Sequence, residues 1–357
     1  MKERETNFEL LRILAMCMII GLHYLGKGNV LGDFLDAQGI GGYLAWIFEA
    51  FFYCAVNVYV LVSGYFLIEK QADVRRAGKL WGQVFFYSLF LGIIALCTGI
   101  AKAEEMDAYK ASYYLLPILT EHYWFVTDYL FLYLLLPFIN PALSSMEQKK
   151  MRNRIILFLG IFSFSKSLLP LSFAVDKKGY DVLWFICLYM TGAYYRRFGI
   201  PLLAAKARGF GLYIVSSAAI FVSALLLKGA YFKTGHFKDI VTYAYSYNHI
   251  FCYLAAVGLF TAFARIRIGP GKAGKVIGFL GGASFGVYLI HEHIDLRYAW
   301  QKWLLVEKQA GAPMFALFMI GSIAAVYVTC AMIELLRQQL FLKVGGRLRY
   351  GKKRAVK

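Results

Sequence analysis

Apolar residues run along this chain in ten stretches, with approximate cores at 8–26, 43–68, 80–101, 123–140, 153–170, 181–198, 210–228, 247–264, 276–293 and 313–336. A helix needs about 20 apolar residues to cross a bilayer. The pattern therefore predicts an all-α, polytopic transmembrane bundle of ten spans. The stretch from 180 to 197 is short, and the one from 247 is broken by polar residues. The longest loops, 27–42 and 102–122, leave no room for a separate soluble domain.

Charge supports the count. With the N-terminus placed in the cytoplasm, the cytoplasmic segments collect most of the 39 basic residues, for example Lys149, Lys150, Arg152 and Arg154 between the fourth and fifth spans. The acidic loop "KAEEMDAYK" falls outside, as the positive-inside bias requires. Both termini are then cytoplasmic. The chain divides into a membrane unit at 1–340 and a basic cytoplasmic tail at 341–357. The net charge of +18 is explained by topology and by attraction to anionic membrane lipid, without a nucleic-acid partner. No recognition module accompanies it. The first run lacks a small-residue cleavage site and is expected to be retained as a span. Six cysteines stand singly inside apolar runs and are expected as small buried hydrophobes, not as a metal or disulfide set.

Ionisable groups inside hydrocarbon are costly and face a cavity or a partner. In "FELLRILAMCMIIGLHY", Arg12 and His23 are eleven residues apart, so they share one helix face within about 20° and lie about 16 Å apart along the axis. That face offers a cation at one end and an imidazole at the other; the plainer reading is a snorkelling arginine and an interfacial histidine. Glu9 lies too far along the helix to orient His23 and is expected to pair with Arg12 or another cation. An orienting partner for His23 must come from another span, with Asp128, Glu49 and His291 as candidates. Glu49 and Asn57 stand in the second span, with Glu49 also expected as a substrate-binding residue and Asn57 as a structural one. Trp124 and Tyr123 open the fourth, as sugar-stacking or interfacial side chains. In "HEH", His291 and His293 point about 200° apart on a helix, so no shared metal is expected there. After the second span, Arg75, Arg76 and Lys79 form a compact cation patch. It suits phosphate, or is a positive-inside loop and nothing more.

Five pieces, in order, resemble the acyltransferase-3 family of multi-spanning membrane acyltransferases: "FELLRILAMCMIIGLHY", "CAVNVYVLVSGYFL", "HYWFVTDYLFLYLLLPFINPAL", "FICLYMTGAYYRR" and "ASFGVYLIHEHI". The resemblance implies transfer of an acyl group, usually acetyl, from cytoplasmic acyl-CoA to a hydroxyl of a cell-surface or lipid-linked glycan. It implies a multi-pass protein of the cytoplasmic membrane, with acetyl-CoA or another acyl-CoA as co-substrate; from the cysteine and histidine spacing, no metal is expected. By position the family's catalytic histidine falls on His23 and its arginine on Arg12. The Arg-x-x-Arg pattern after the second span is met here by Arg76-Ala77-Gly78-Lys79, where Lys supplies charge but not a guanidinium fork. His23 would act as general base or as acyl carrier. A transporter or flippase for a polar or lipid-linked solute is the alternative.

Overall fold

The computed structural model describes residues 5–71, 73–169, 177–269, 271–309 and 314–354, without the side chains of 344–354. Lys2, Arg4 and Lys357, three of the 39 basic residues, lie outside the described residues. Among the described residues the chain is helical with no strand. The helices are α1 (Thr6–Gly26), α2 (Gly39–Phe52), α3 (Ala55–Leu67), α4 (Val74–Cys97), α5 (Ala108–Leu115), α6 (Trp124–Ser144), α7 (Gln148–Leu159), α8 (Ser165–Leu168), α9 (Val182–Phe198), α10 (Lys206–Thr234), α11 (Ile250–Ala264), α12 (Lys272–His291), α13 (Ala299–Trp303), α14 (Val306–Gln309) and α15 (Phe315–Arg354).

Seven helical segments are long and apolar enough to cross a membrane, counting α2 with α3 as one. The other three predicted spans are helical but short or interrupted. A π-turn at Gly160–Phe164 separates α7 from α8, α9 has 17 residues and α11 has 15. α15 continues without a break past residue 340, so the basic tail begins as an extension of the last helix.

Local sequence sets the helix ends. Asp73, Asp107 and Asp181 each stand at an N-cap and accept a backbone N–H of the first turn, at 2.9, 2.7 and 2.8 Å. Gly235 ends α10 at φ +73°, a conformation without side-chain penalty only for glycine. The second predicted span breaks at Tyr53–Cys54. The carbonyls freed there are taken up by neighbours, with Tyr213 Oη donating to Phe51 O at 3.0 Å. Such re-satisfaction is what permits a broken helix at membrane depth.

α1 is the axis of the bundle, packing against α2, α3, α11, α12 and α15. Leu11, Ala15, Ile20 and Leu25 on several of its faces are fully buried, as expected of a helix apolar all round. By contrast α10 turns Val215, Val222 and Leu226 outward, and α15 turns Leu317, Ile320, Met332 and Leu336 outward. These are lipid-facing stripes.

Apolar burial gives little net drive between helices in lipid, so close van der Waals contact and buried polar bonds must hold them. α3 and α9 interlock through reciprocal glycines. A Cβ on Gly64 would collide with the Tyr189 carbonyl, and one on Gly192 with the Leu61 carbonyl. Glu334 on α15 accepts from Tyr87 on α4 at 2.6 Å and pairs with Arg337 at 2.7 Å, clasping two helices. Lys228 on α10 donates to the carbonyls of Phe34 and Ala37 at 3.1 and 2.7 Å and holds the 27–38 loop down.

Two ends of the bundle differ in chemistry. Where α1 begins, Arg196 at the end of α9 meets Glu69 at 2.9 Å, and Arg197 bonds the carbonyls of Leu143 and Ser144 at the end of α6. Where α1 ends, the last residues of α12 and the first of α6 assemble the histidines and aromatic rings described next.

Candidate active site

A single cavity of about 980 Å³ runs beside α1 and carries both polar ends of that helix on its wall. At the basic end it is lined by Glu5, Glu9, Arg12, Lys70 and Arg196. At the other end it is lined by His23, Lys27, Glu292 and Arg297. Arg12 pairs with Glu9 at 2.6 Å, as the i, i+3 spacing allows. Tyr59 bonds the Arg12 carbonyl at 2.6 Å and fixes that turn of α1.

His23 Nδ1 lies 3.0 Å from His291 Nε2 and 3.1 Å from Glu292 Oε2. His291 Nδ1 lies 2.7 Å from the Val287 carbonyl one turn earlier on α12. A carbonyl only accepts, so His291 carries its proton on Nδ1 and leaves Nε2 bare. His23 must then donate from Nδ1, and its own Nε2 holds a free lone pair. The Glu292 carboxylate that shares the His23 Nδ1–H is paired in turn by Lys27 and, at 3.6 Å, by Arg297. Lys27 follows His23 by four residues, one helical turn along the same face. The donor atoms of His23, His291 and Glu292 lie within 4.8 Å of one another, a set able to hold a cation. The ammonium of Lys27 already supplies positive charge to that carboxylate.

Of the other expected residues, Trp124 and Glu49 line the cavity. Asn57 is fully buried and structural. Its amide donates to the Tyr247 carbonyl at 2.8 Å and its oxygen accepts from the Trp184 indole at 3.1 Å. Tyr123 departs from the substrate-contact expectation. It is fully buried and spends its hydroxyl on the Leu289 carbonyl at 3.0 Å, because the first turn of α6 points it into the protein. Asp128 departs too. It is half-buried on a face of α6 that does not line the cavity, and its electrostatic neighbours are Asp181, Glu121 and Lys177. Arg75 is exposed, while Arg76 and Lys79 line a second pocket of about 320 Å³ with Gln83, Tyr129 and Tyr133. Leu67, Leu80 and Tyr129 border both cavities.

A second pair of histidines is structural. His122 accepts from the Ile294 amide at 3.0 Å and donates to the Tyr113 carbonyl at 3.0 Å. Burial, and then the nearby His293, push the His122 imidazole down to about 3, so it stays neutral and committed to these bonds.

Sequence reasoning passed over Lys27, Glu292, Arg297 and Tyr288. The first was visible as His23 plus four, and Glu292 as the neighbour of His291. In "HEH" the metal reading and His291 as a partner of His23 leave the glutamate between the two histidines without a role. Tyr288 stands one turn before His291 on α12 and lines the cavity. Its hydroxyl is buried with no hydrogen-bond partner among the described residues.

No curated protein and no solved structure matches the chain. The family profile described as an acyltransferase domain matches residues 5–334, nearly the whole chain, and the chain therefore belongs to the acyltransferase-3 family.

Proposed function

We propose that this membrane acyltransferase moves an acetyl or other short acyl group from acyl-CoA to a hydroxyl of a cell-surface or lipid-linked glycan. The basic end of the bundle would face the cytoplasm, with ten spans and both termini inside. The observation that carries the reading is one cavity joining Arg12 to His23, whose free Nε2 is enforced by the bonds on its other nitrogen.

The nucleotide of acyl-CoA is too charged to enter hydrocarbon and would stay at the basic end on Arg76, Lys79 and Arg12. Its uncharged pantetheine arm would follow the cavity towards His23, a rise of about 16 Å on the helix. As the acceptor O–H attacks the thioester carbon, its proton passes to His23 Nε2. Glu292 and His291 oppose the positive charge that forms on the ring. The Tyr288 hydroxyl, which donates to no group among the described residues, would donate to the thioester oxygen as it becomes anionic. Collapse breaks the C–S bond, and the thiolate takes the proton back from His23. The products are the ester and free CoA. Because the cavity carries both ends of α1 on one wall, direct transfer is favoured over a separate acyl-histidine.

The test is CoA release from acetyl-CoA by purified protein in nanodiscs, comparing wild type with His23→Ala. Loss of at least a hundredfold in the variant is expected. Equal rates, or solute uptake into vesicles without acyl chemistry, would favour a transporter.

A further inference from the structure

Glu49 poses a chemical problem that the transfer step leaves unsolved. It sits on α2 one turn before the break at Tyr53, is 8% exposed and lines the cavity. Its Oε2 is buried with no hydrogen-bond partner among the described residues. A buried carboxylate oxygen in that state costs free energy and calls for an outside partner.

The surroundings indicate what that partner is. Tyr53, Trp124, Tyr180 and Tyr247 line the same cavity and come from four separate parts of the chain. Ring centroids are 4.9 Å apart for Tyr53 and Tyr247, 4.8 Å for Tyr180 and Tyr247, and 4.4 Å for Trp124 and Tyr180. Trp124 and Tyr247 are within 21° of parallel. Trp124 begins α6, Tyr180 and Tyr247 stand just before α9 and α11, and Tyr53 lies at the break between α2 and α3; all four share the cavity wall with His23. The arrangement joins flat aromatic faces with one carboxyl group whose Oε2 has no hydrogen-bond partner among the described residues. A pyranose matches it, since its C–H face is apolar enough to lie on aromatic rings and its rim hydroxyls can each donate to, or accept from, a carboxyl group. A quaternary ammonium also likes aromatic rings. Lys27 and Arg297 on the wall of this end disfavour a cation.

We propose that Glu49 with Tyr53, Trp124, Tyr180 and Tyr247 forms the acceptor subsite, which binds one uncharged pyranose ring and turns one of its hydroxyls towards His23. This rests on the acyl-transfer reading above. Glu49 is a positioning residue in it; it holds the sugar and takes no proton from the reacting oxygen.

The probes are methyl α- and β-D-glucopyranoside, galactopyranoside and mannopyranoside, offered with acetyl-CoA to the full chain in nanodiscs. At least one should be acetylated, by mass. Glu49→Gln should raise the KM for that glycoside tenfold or more, while the KM for acetyl-CoA moves less than about twofold. Trp124→Phe should act in the same direction. His23-dependent hydrolysis of acetyl-CoA with no pyranoside acetylated would overturn this subsite and spare the transfer reading. So would a glycoside KM unchanged in Glu49→Gln. A binding arm needs no turnover: tryptophan emission of His23→Ala should change saturably with the active glycoside, and the response should fall in His23→Ala/Glu49→Gln. A response to choline instead, or none to any pyranoside, rejects the proposal even if no acyl chemistry is found.

Discussion

Replacing Glu292 by glutamine keeps the shape of the site and removes one charge. In the wild type the carboxylate lies 3.1 Å from His23 Nδ1, where an imidazolium forms during transfer. At the effective dielectric of a protein site, two unit charges at that distance attract by roughly 5 kcal/mol. Lys27 and Arg297 share the carboxylate and reduce that figure. The loss of one charge-assisted hydrogen bond, about 1.5–3 kcal/mol, is the better guide. It corresponds to a fall in kcat of roughly ten- to a hundredfold. Glu292→Gln also strands the Lys27 ammonium beside the ring, which adds to the loss. The double variant Lys27→Met/Glu292→Gln should therefore recover part of it. The assay is steady-state CoA release across pH in nanodiscs. The KM for acetyl-CoA should change much less than kcat, since the basic end is untouched. A kcat within twofold of wild type, or an effect confined to KM, would refute the role of Glu292 as counter-charge.

Arg76→Ala should raise the KM for acetyl-CoA more than fivefold, with Lys79→Ala acting in the same direction; an unchanged KM in both would leave the patch as a topology signal. Arg12→Ala leaves the buried Glu9 carboxylate unpaired, a cost of about 3–5 kcal/mol, so its melting temperature should fall sharply. Glu9→Gln/Arg12→Gln should be the more stable of the two in the same thermal scan. Gly64→Ala drives a methyl into the Tyr189 carbonyl and should separate α3 from α9, read as lower thermal stability and weaker expression, while Gly78→Ala, in open space, should be neutral. Exhaustive chelation should leave CoA release unchanged, because Lys27 already neutralises Glu292; loss of activity restored by zinc would instead assign the His23–His291–Glu292 set to a metal.

Much of the scaffold was legible because membrane helices are written in composition. Eight apolar stretches became single helices near their expected places; 43–68 became two, and the described part of 153–170 became α7 and α8 with the π-turn between them. The break at Tyr53–Cys54 was hidden. No glycine or proline marks it, and the bonds that satisfy its carbonyls come from Tyr213 and Cys252, far along the chain. The π-turn at Gly160–Phe164 does begin at a glycine, but a single glycine inside an apolar run does not by itself announce a widened turn. Within the site, helical spacing was enough for residues of α1: Arg12 and His23 share the cavity, and Glu9 pairs with Arg12. It failed between helices. Periodicity cannot say which side of α6 meets the cavity, so Asp128 and Tyr123 were over-read while Phe125 and Tyr129 lined it. His291 was among the candidate partners for His23 from another span, but Glu292 stands at the C-cap of α12, where the backbone turns and periodic reasoning stops.

The most direct test is a cryo-EM structure of His23→Ala in nanodiscs with acetyl-CoA. The expected density has the nucleotide phosphates on Arg76, Lys79 and Arg12, the pantetheine arm along α1, and the thioester within about 4 Å of the volume vacated by the His23 ring, a near-attack separation. A carrier bound at the membrane surface, with its thioester far from position 23 and the cavity closed between Arg12 and His23, would contradict the mechanism.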